Sequence, residues 1–191
     1  FEALAANIKY GFPSRRLHVI GVTGTDGKTT TSHLIYHILK SSGKNVSLTS
    51  SVFSDVAGEI TDTGLHVTTQ SRWAIQKSIK IAADKGCEYF VLETTSHGID
   101  QHRVGLMQFS YCILTNVTNE HLDYHKTYDN YLNTKVKLLL WAKKCAIVNR
   151  DDASFQQVAQ ILLSHKKEFV TFSLEDEANY VWTDKIKTTL Q

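Results

Sequence analysis

Short apolar runs and amphipathic stretches take turns along this chain. LHVIGVT (residues 17–23) is β-rich and apolar, and between Lys28 and Ser42 the residues Thr31, Leu34, Ile35, Ile38 and Leu39 recur at helical spacing, which predicts strand, loop and helix in turn. NVSLTSS (45–51) returns as a strand after Gly43, a residue suited to a helix C-cap. The polar stretch from Phe53 to Gln70, with Gly58 and Gly64, predicts a loop holding a small hairpin. Ile75, Ile79 and Ala82 share one face of a helix over 71–85, which Gly86 closes before the strand CEYFVLE (87–93). The pattern repeats through FSYCILTN (109–116), a helix over 127–142, KCAIVN (144–149), a helix over 151–165 carrying Phe155, Val158, Ala159 and Leu162, and EFVTFS (168–173). Repeated βα units of this kind predict an α/β domain with a mostly parallel sheet flanked by helices.

Composition narrows the classes. The 191 residues, 42% hydrophobic and 21% charged, suit one globular domain rather than a disordered tail or a coiled coil. The formal charge of +2 is far short of the basic excess that phosphate-backbone binding calls for, which argues against nucleic acid. No apolar run approaches the roughly 20 residues that cross a bilayer. The opening FEALAANIKYGFPSRR also lacks the order of a signal peptide, so the sequence reads as soluble and cytoplasmic. Cys87, Cys112 and Cys145 are odd in number and set in apolar segments, and read as buried free thiols. Pro13, in YGFPS, marks a linker before the first strand, and the closing YVWTDKIKTTLQ alternates like a strand that stops without a terminating signal.

Ligands of open α/β sheets sit beyond the carboxyl ends of the strands, and three such ends are rich in reactive groups. TGTDGKTTT (23–31) follows the first strand. Gly24 and Gly27 permit tight backbone turns, Lys28 reaches terminal phosphates, Thr29 offers a hydroxyl to Mg²⁺, and the helix that follows adds its positive end. The pattern is a variant of the phosphate loop, because Val22 stands where the strict form has its first glycine. ETTSHGIDQHRVG (93–105) brings Glu93 to the end of an apolar run, where a carboxylate is costly unless it is paired or metal-bound; the alternative is a solvated salt bridge at an exposed strand end. NVTNEHLDYH (116–125) carries His121 and His125 at helical spacing, but in a segment too short for a firm helical metal pair. Lys135 falls in the middle of a stripe made by Tyr128, Tyr131, Leu132, Leu138, Leu139 and Ala142. Either its stem snorkels to solvent, or its amine is desolvated and reactive.

Taken together, TGTDGKTTT, HVTTQS, ETTSHGIDQHRV, TNVTNEHLDYH and YDNYLNTKVKLL resemble the Mur ligases, in order and spacing, from about Leu4 to Leu190. The nearest pattern is that of the UDP-N-acetylmuramoyl-tripeptide synthetase branch. The resemblance implies a P-loop-type central domain. Residues 1–16 would be the connector from a preceding domain, residues 17–191 an incomplete ATP-binding domain, and the C-terminal amino-acid-binding domain would be absent. It implies ATP-dependent amide bond formation, in which a substrate carboxylate takes the γ-phosphate to form an acyl phosphate and an amino group then displaces phosphate. The partners would be a UDP-N-acetylmuramoyl-peptide and an amino acid, with the protein acting as a monomer, apart from membranes.

By the same resemblance, Gly24, Thr25, Asp26, Gly27, Lys28, Thr29, Thr30 and Asn116 would bind ATP. Thr29, Glu93, His121 and Lys135 would hold Mg²⁺, Lys135 as a carbamate formed with CO₂. Thr68, Thr69, Thr95, Ser96, Gln101 and Arg103 would meet the muramoyl-peptide substrate. Asp26, Gln70, Thr95 and Glu120 depart from the residues usual in the family, a pattern that touches the choice of substrate more than the use of ATP. Two other readings stand beside the first: a folylpolyglutamate- or cyanophycin-type ligase, which shares the TGTxGKT loop, and a nucleotide-binding module without ligase activity of its own. A GTPase would need a base-reading NKxD string, and NRDD (149–152) is not one.

Overall fold

The first strand, β1 (His18–Thr23), is the centre of the sheet, running parallel to β5 (Tyr89–Glu93) on one side and β6 (Phe109–Leu114) on the other. The protein is described here from a computed structural model covering residues 1–62, 69–120, 122–174 and 181–182. Beyond β5 lies β2 (Val46–Thr49), also parallel; beyond β6 lie β7 (Ala142–Asn149), β8 (Phe169–Ser173) and β9 (Val181–Trp182), all parallel to their neighbours. The polar stretch after β2 folds as the expected hairpin, with β3 (Phe53–Val56) and β4 (Glu59–Asp62) extending that edge antiparallel. Among the described residues the sheet order is β4-β3-β2-β5-β1-β6-β7-β8-β9. Because β1 feeds leftward to β2 and β5 feeds rightward to β6, the carboxyl ends of β1, β5 and β6 border the crevice where strand order reverses.

The two sheet faces are covered unequally. Ile75 and Ile79 of α3 (Arg72–Asp84), Tyr131, Leu132, Val136 and Leu139 of α6 (Tyr128–Trp141), and Val158 and Leu162 of α7 (Phe155–Ser164) close one face over Val19, Phe90, Phe109 and Cys112. The other face packs on α2 (Lys28–Ser41), through Tyr36, Ile35 and Leu39 against Val22, Leu48 and Val91.

The buried face of α2 keeps only part of the expected stripe, Ile35 and Leu39. Leu34 and Ile38 are 57% and 64% exposed, while Ser32 and Tyr36 are buried. Tyr36 sets the rotation: its ring enters the core, and its hydroxyl donates to the buried Asp55 carboxylate of β3, which Lys40 also approaches at 3.0 Å. A periodicity of aliphatic residues alone does not register such a polar anchor.

Cys87 and Cys112 are buried free thiols, as expected, but Cys145 is only half-buried, on the strand-β7 side shared with half-exposed Ile147. Within residues 1–16, α1 (Glu2–Tyr10) is fastened to the body: Glu2 pairs with Arg72 at 2.6 Å and the Asn7 side chain donates to the Gly105 carbonyl at 3.2 Å. Among the described residues no helix is long and apolar enough to cross a membrane.

Candidate active site

The loop leaving β1 is held from behind by the loop leaving β6. The Asn116 side-chain oxygen accepts the Thr25 and Asp26 amides at 3.1 and 2.8 Å, and its NH₂ donates to the Asp26 carbonyl at 3.2 Å. Thr115 donates its hydroxyl to the same carbonyl at 2.7 Å. Such close approach requires glycine at position 24, since a Cβ there would lie 1.8 Å from the Thr115 hydroxyl. Gly27, at φ 75°, makes the left-handed turn into α2. No side chain caps α2, and the first turn of a helix leaves its N–H groups without intrahelical partners, so this end is suited to an anion. Lys28 folds back, donating to the Thr25 carbonyl at 2.5 Å, and Asp26 and Thr30 are exposed at the loop surface.

Glu93 ends β5 in register with Val22, which brings it beside the start of α2. It is 1% exposed. One carboxylate oxygen accepts the Thr29 hydroxyl at 2.9 Å; the other accepts the Ser51 amide at 2.8 Å and its hydroxyl at 3.2 Å. Among the described residues no cationic side chain lies within salt-bridge distance of it. A buried carboxyl group served only by neutral donors suits a cation ligand. One turn along α2, His33 lies 2.9 Å from the Ser50 hydroxyl, with its pKa lowered by burial against an opposing pull from Glu93. Among the described residues there is no cluster of three His, Cys, Asp or Glu side chains; His121 lies outside them.

Lys135 does not snorkel. It is 1% exposed, and its amine donates to the Gly24 carbonyl at 2.5 Å while resting 4.3 Å from the centre of the Tyr131 ring. Burial, with help from the nearby Lys28 charge, pushes its pKa down to about 7. At neutral pH a large share of this amine is therefore unprotonated and nucleophilic.

The other wall of the crevice is built from α4 (Ser96–Asp100) and the segment before α3. The Thr69 hydroxyl bonds both the Thr95 hydroxyl and the Thr95 amide at 2.9 Å. Arg103 donates to the Thr69 carbonyl at 2.6 Å and to the Gln101 side-chain oxygen at 2.9 and 2.6 Å. Among the described residues no carboxylate lies within salt-bridge distance of Arg103. The Ser96 hydroxyl lies 3.0 Å from Nε2 of buried His125, at the end of α5 (Leu122–His125). Thr68 is outside the described residues. A cleft of about 860 Å³ lined by Leu4, Arg72, Leu106 and Trp141 includes Gln101 but none of the phosphate-loop groups or Glu93, so chemistry rather than cavity size locates the site.

This geometry meets its match in known proteins: residues 22–191 fit the model of the Mur ligase middle domain. The chain belongs to the Mur ligase family. It is 40% identical over 173 residues to the UDP-N-acetylmuramoyl-L-alanyl-D-glutamate–2,6-diaminopimelate ligase of Parabacteroides distasonis, covering 90% of this chain and 35% of that protein. A solved structure of a ligase of that name superposes with a TM-score of 0.74 at 28% identity, over 86% of this chain and 34% of the other. MurF from Acinetobacter baumannii shares the fold at a TM-score of 0.69 and 18% identity, over 94% and 36%. The chain spans about a third of the length of the curated relatives it matches.

In this Mur ligase domain the three loaded strand ends do converge: Thr29 meets Glu93, the Gly24–Asp26 loop meets Asn116, and Lys135 meets Gly24. The sequence reading missed Ser51, Thr115, Thr118 and Tyr131, which hold the loop and Glu93 from behind. Thr118 donates its amide to the Thr25 hydroxyl at 2.9 Å, and that hydroxyl lies 3.3 Å from the Tyr131 hydroxyl. Ser51 and Thr118 carried one usable signal, a hydroxyl residue within a few positions of a strand's carboxyl end.

Proposed function

We propose that the chain is the phosphoryl-transfer core of an ATP-dependent amide ligase of peptidoglycan precursor synthesis, one that adds an amino acid to a UDP-N-acetylmuramoyl-peptide. The observation that carries this reading is the buried Glu93 carboxylate joined to Thr29 of the phosphate loop, at the crevice of a Mur ligase middle domain. The relatives, named as UDP-N-acetylmuramoyl-L-alanyl-D-glutamate–2,6-diaminopimelate ligases, supply the substrate class. Their greater length leaves room for the sugar-nucleotide and amino-acid sites elsewhere in the protein. The reading has the protein act as a cytoplasmic monomer on small molecules, and the small net charge argues against nucleic acid as a partner.

In this reading Gly24, Thr25, Asp26, Gly27 and Thr30 shape the phosphate cradle, and Asn116 sets its backbone. Lys28 exchanges the Thr25 carbonyl for phosphate oxygens. Thr29, Glu93 and His121 would hold Mg²⁺, with Lys135 contributing as its carbamate. The Mg²⁺ supplies positive charge against the oxygens of the transferring phosphoryl group. The Lys135 amine would form its carbamate by bonding through its lone pair to CO₂ and giving up one proton to water, so becoming an anion. Thr68, Thr69, Thr95, Ser96, Gln101 and Arg103 orient the muramoyl-peptide carboxylate for attack on the γ-phosphate. Arg103 exchanges its neutral acceptors for a substrate anion.

The test is release of ADP and phosphate by the full-length protein. Turnover that requires both a UDP-N-acetylmuramoyl-dipeptide and a diamino acid is expected. Turnover with a folate and glutamate instead, or with GTP in preference to ATP, would overturn the assignment.

A further inference from the structure

Tyr131 occupies a place that the proposed roles leave unexplained. It is 1% exposed and among the bulkiest fully buried side chains, yet it keeps a hydroxyl in the core. That hydroxyl lies 3.3 Å from the Thr25 hydroxyl, which also accepts the Thr118 amide. The ring lies under the Lys135 amine, whose nitrogen is 4.3 Å from the ring centre, and the His125 ring lies 5.1 Å away. Tyr131 and Lys135 stand four residues apart on α6, so one helical face presents both to the phosphate loop. They grip consecutive loop residues: Lys135 the Gly24 carbonyl, Tyr131 the Thr25 side chain.

We propose that Tyr131 is a positioning residue: its hydroxyl fixes the phosphate loop through Thr25, while its ring fixes the Lys135 amine, so that loop and amine keep one mutual geometry as nucleotide binds. The inference rests on the ATP-ligase reading above. It assigns separate tasks to the two parts of one side chain. The hydroxyl serves nucleotide affinity, and the ring serves the placement of Lys135.

Two variants of the full-length protein separate the tasks. Tyr131→Phe keeps the ring and loses the buried hydrogen bond to Thr25, and is expected to weaken ATP binding about three- to tenfold by calorimetry with Mg²⁺. Tyr131→Leu loses the ring as well, and is expected to lower kcat tenfold or more relative to Tyr131→Phe. Circular dichroism checks that both remain folded; if the leucine variant is not, the ATP affinity of the phenylalanine variant decides alone. Wild-type ATP affinity in Tyr131→Phe, or kcat in Tyr131→Leu equal to that of Tyr131→Phe, would overturn the inference while leaving the ligase reading intact. Failure of the wild-type protein to bind ATP at all would overturn both.

Discussion

The two walls of the crevice are built on opposite principles. On the wall proposed to take the nucleotide, the loop and the carboxylate are held from behind: Asn116 and Thr115 take the loop backbone, Lys135 takes Gly24, and Ser51 takes Glu93. On the facing wall, the groups hold one another: Arg103 spends its donors on Gln101 and the Thr69 carbonyl, and Thr69 spends its hydroxyl on Thr95. A wall whose backbone is held from behind keeps its shape when a ligand arrives, with only the Lys28 and Thr29 side chains changing partners, which is the condition for electrostatic preorganisation. A wall whose groups are paired across its own surface must exchange those partners for a ligand, so its energy goes into selection. Changes to the first wall should therefore lower the rate of phosphoryl transfer, and changes to the second should raise the KM for the acceptor.

The largest effect is expected at Glu93. Glu93→Ala should lower Mg²⁺-dependent ATP turnover about a hundred- to a thousandfold with the protein still folded; an unchanged rate would remove Glu93 from the site.

Lys135→Met should also abolish turnover, yet raise stability, because it removes a buried amine that is costly to charge. Burial holds the folded-state pKa at about 7, whereas the unfolded chain returns it to 10.5. Between those values the unfolded state binds the extra proton, so wild-type stability rises as pH increases through that window. The advantage of the methionine variant should thus be largest below pH 7 and shrink towards pH 10. Denaturant melts at pH 6 and pH 9 read this directly, and an advantage that grows with pH would contradict the assigned burial.

Arg103→Ala should raise the acceptor KM about ten- to a hundredfold and leave the ATP KM within about twofold, marking the facing wall as the selective one. The smallest effect is expected outside both walls. Leu34→Gln on α2 should change stability by less than about 0.5 kcal/mol, since that side chain is 57% exposed; a loss of about 2 kcal/mol would restore the aliphatic stripe as the buried face.

What the sequence made legible follows the same division. The strand ends pointed to the first wall as a place where Glu93, Thr29 and Asn116 gather, because each follows or ends a strand and the sheet brings those carboxyl termini together. Lys135 announced itself as a cation in an apolar stripe, and its burial against Gly24 explains the anomaly. Ser51, Thr118 and Tyr131 stayed hidden because each acts on a group far off in sequence, through contacts that no local periodicity encodes. The orientation of α2 was misjudged for a related reason. Tyr36 buries its ring in the core and reaches across to Asp55, and with that face turned inward Leu34 and Ile38 are left exposed.

The central claim is that this site activates a carboxylate by phosphoryl transfer from ATP. The most direct test labels the acceptor carboxylate of the UDP-N-acetylmuramoyl-peptide with ¹⁸O and follows the label through one turnover of the full-length protein. The account predicts one ¹⁸O atom in inorganic phosphate, with ADP as the other product; label found in AMP, or phosphate free of label, would contradict it.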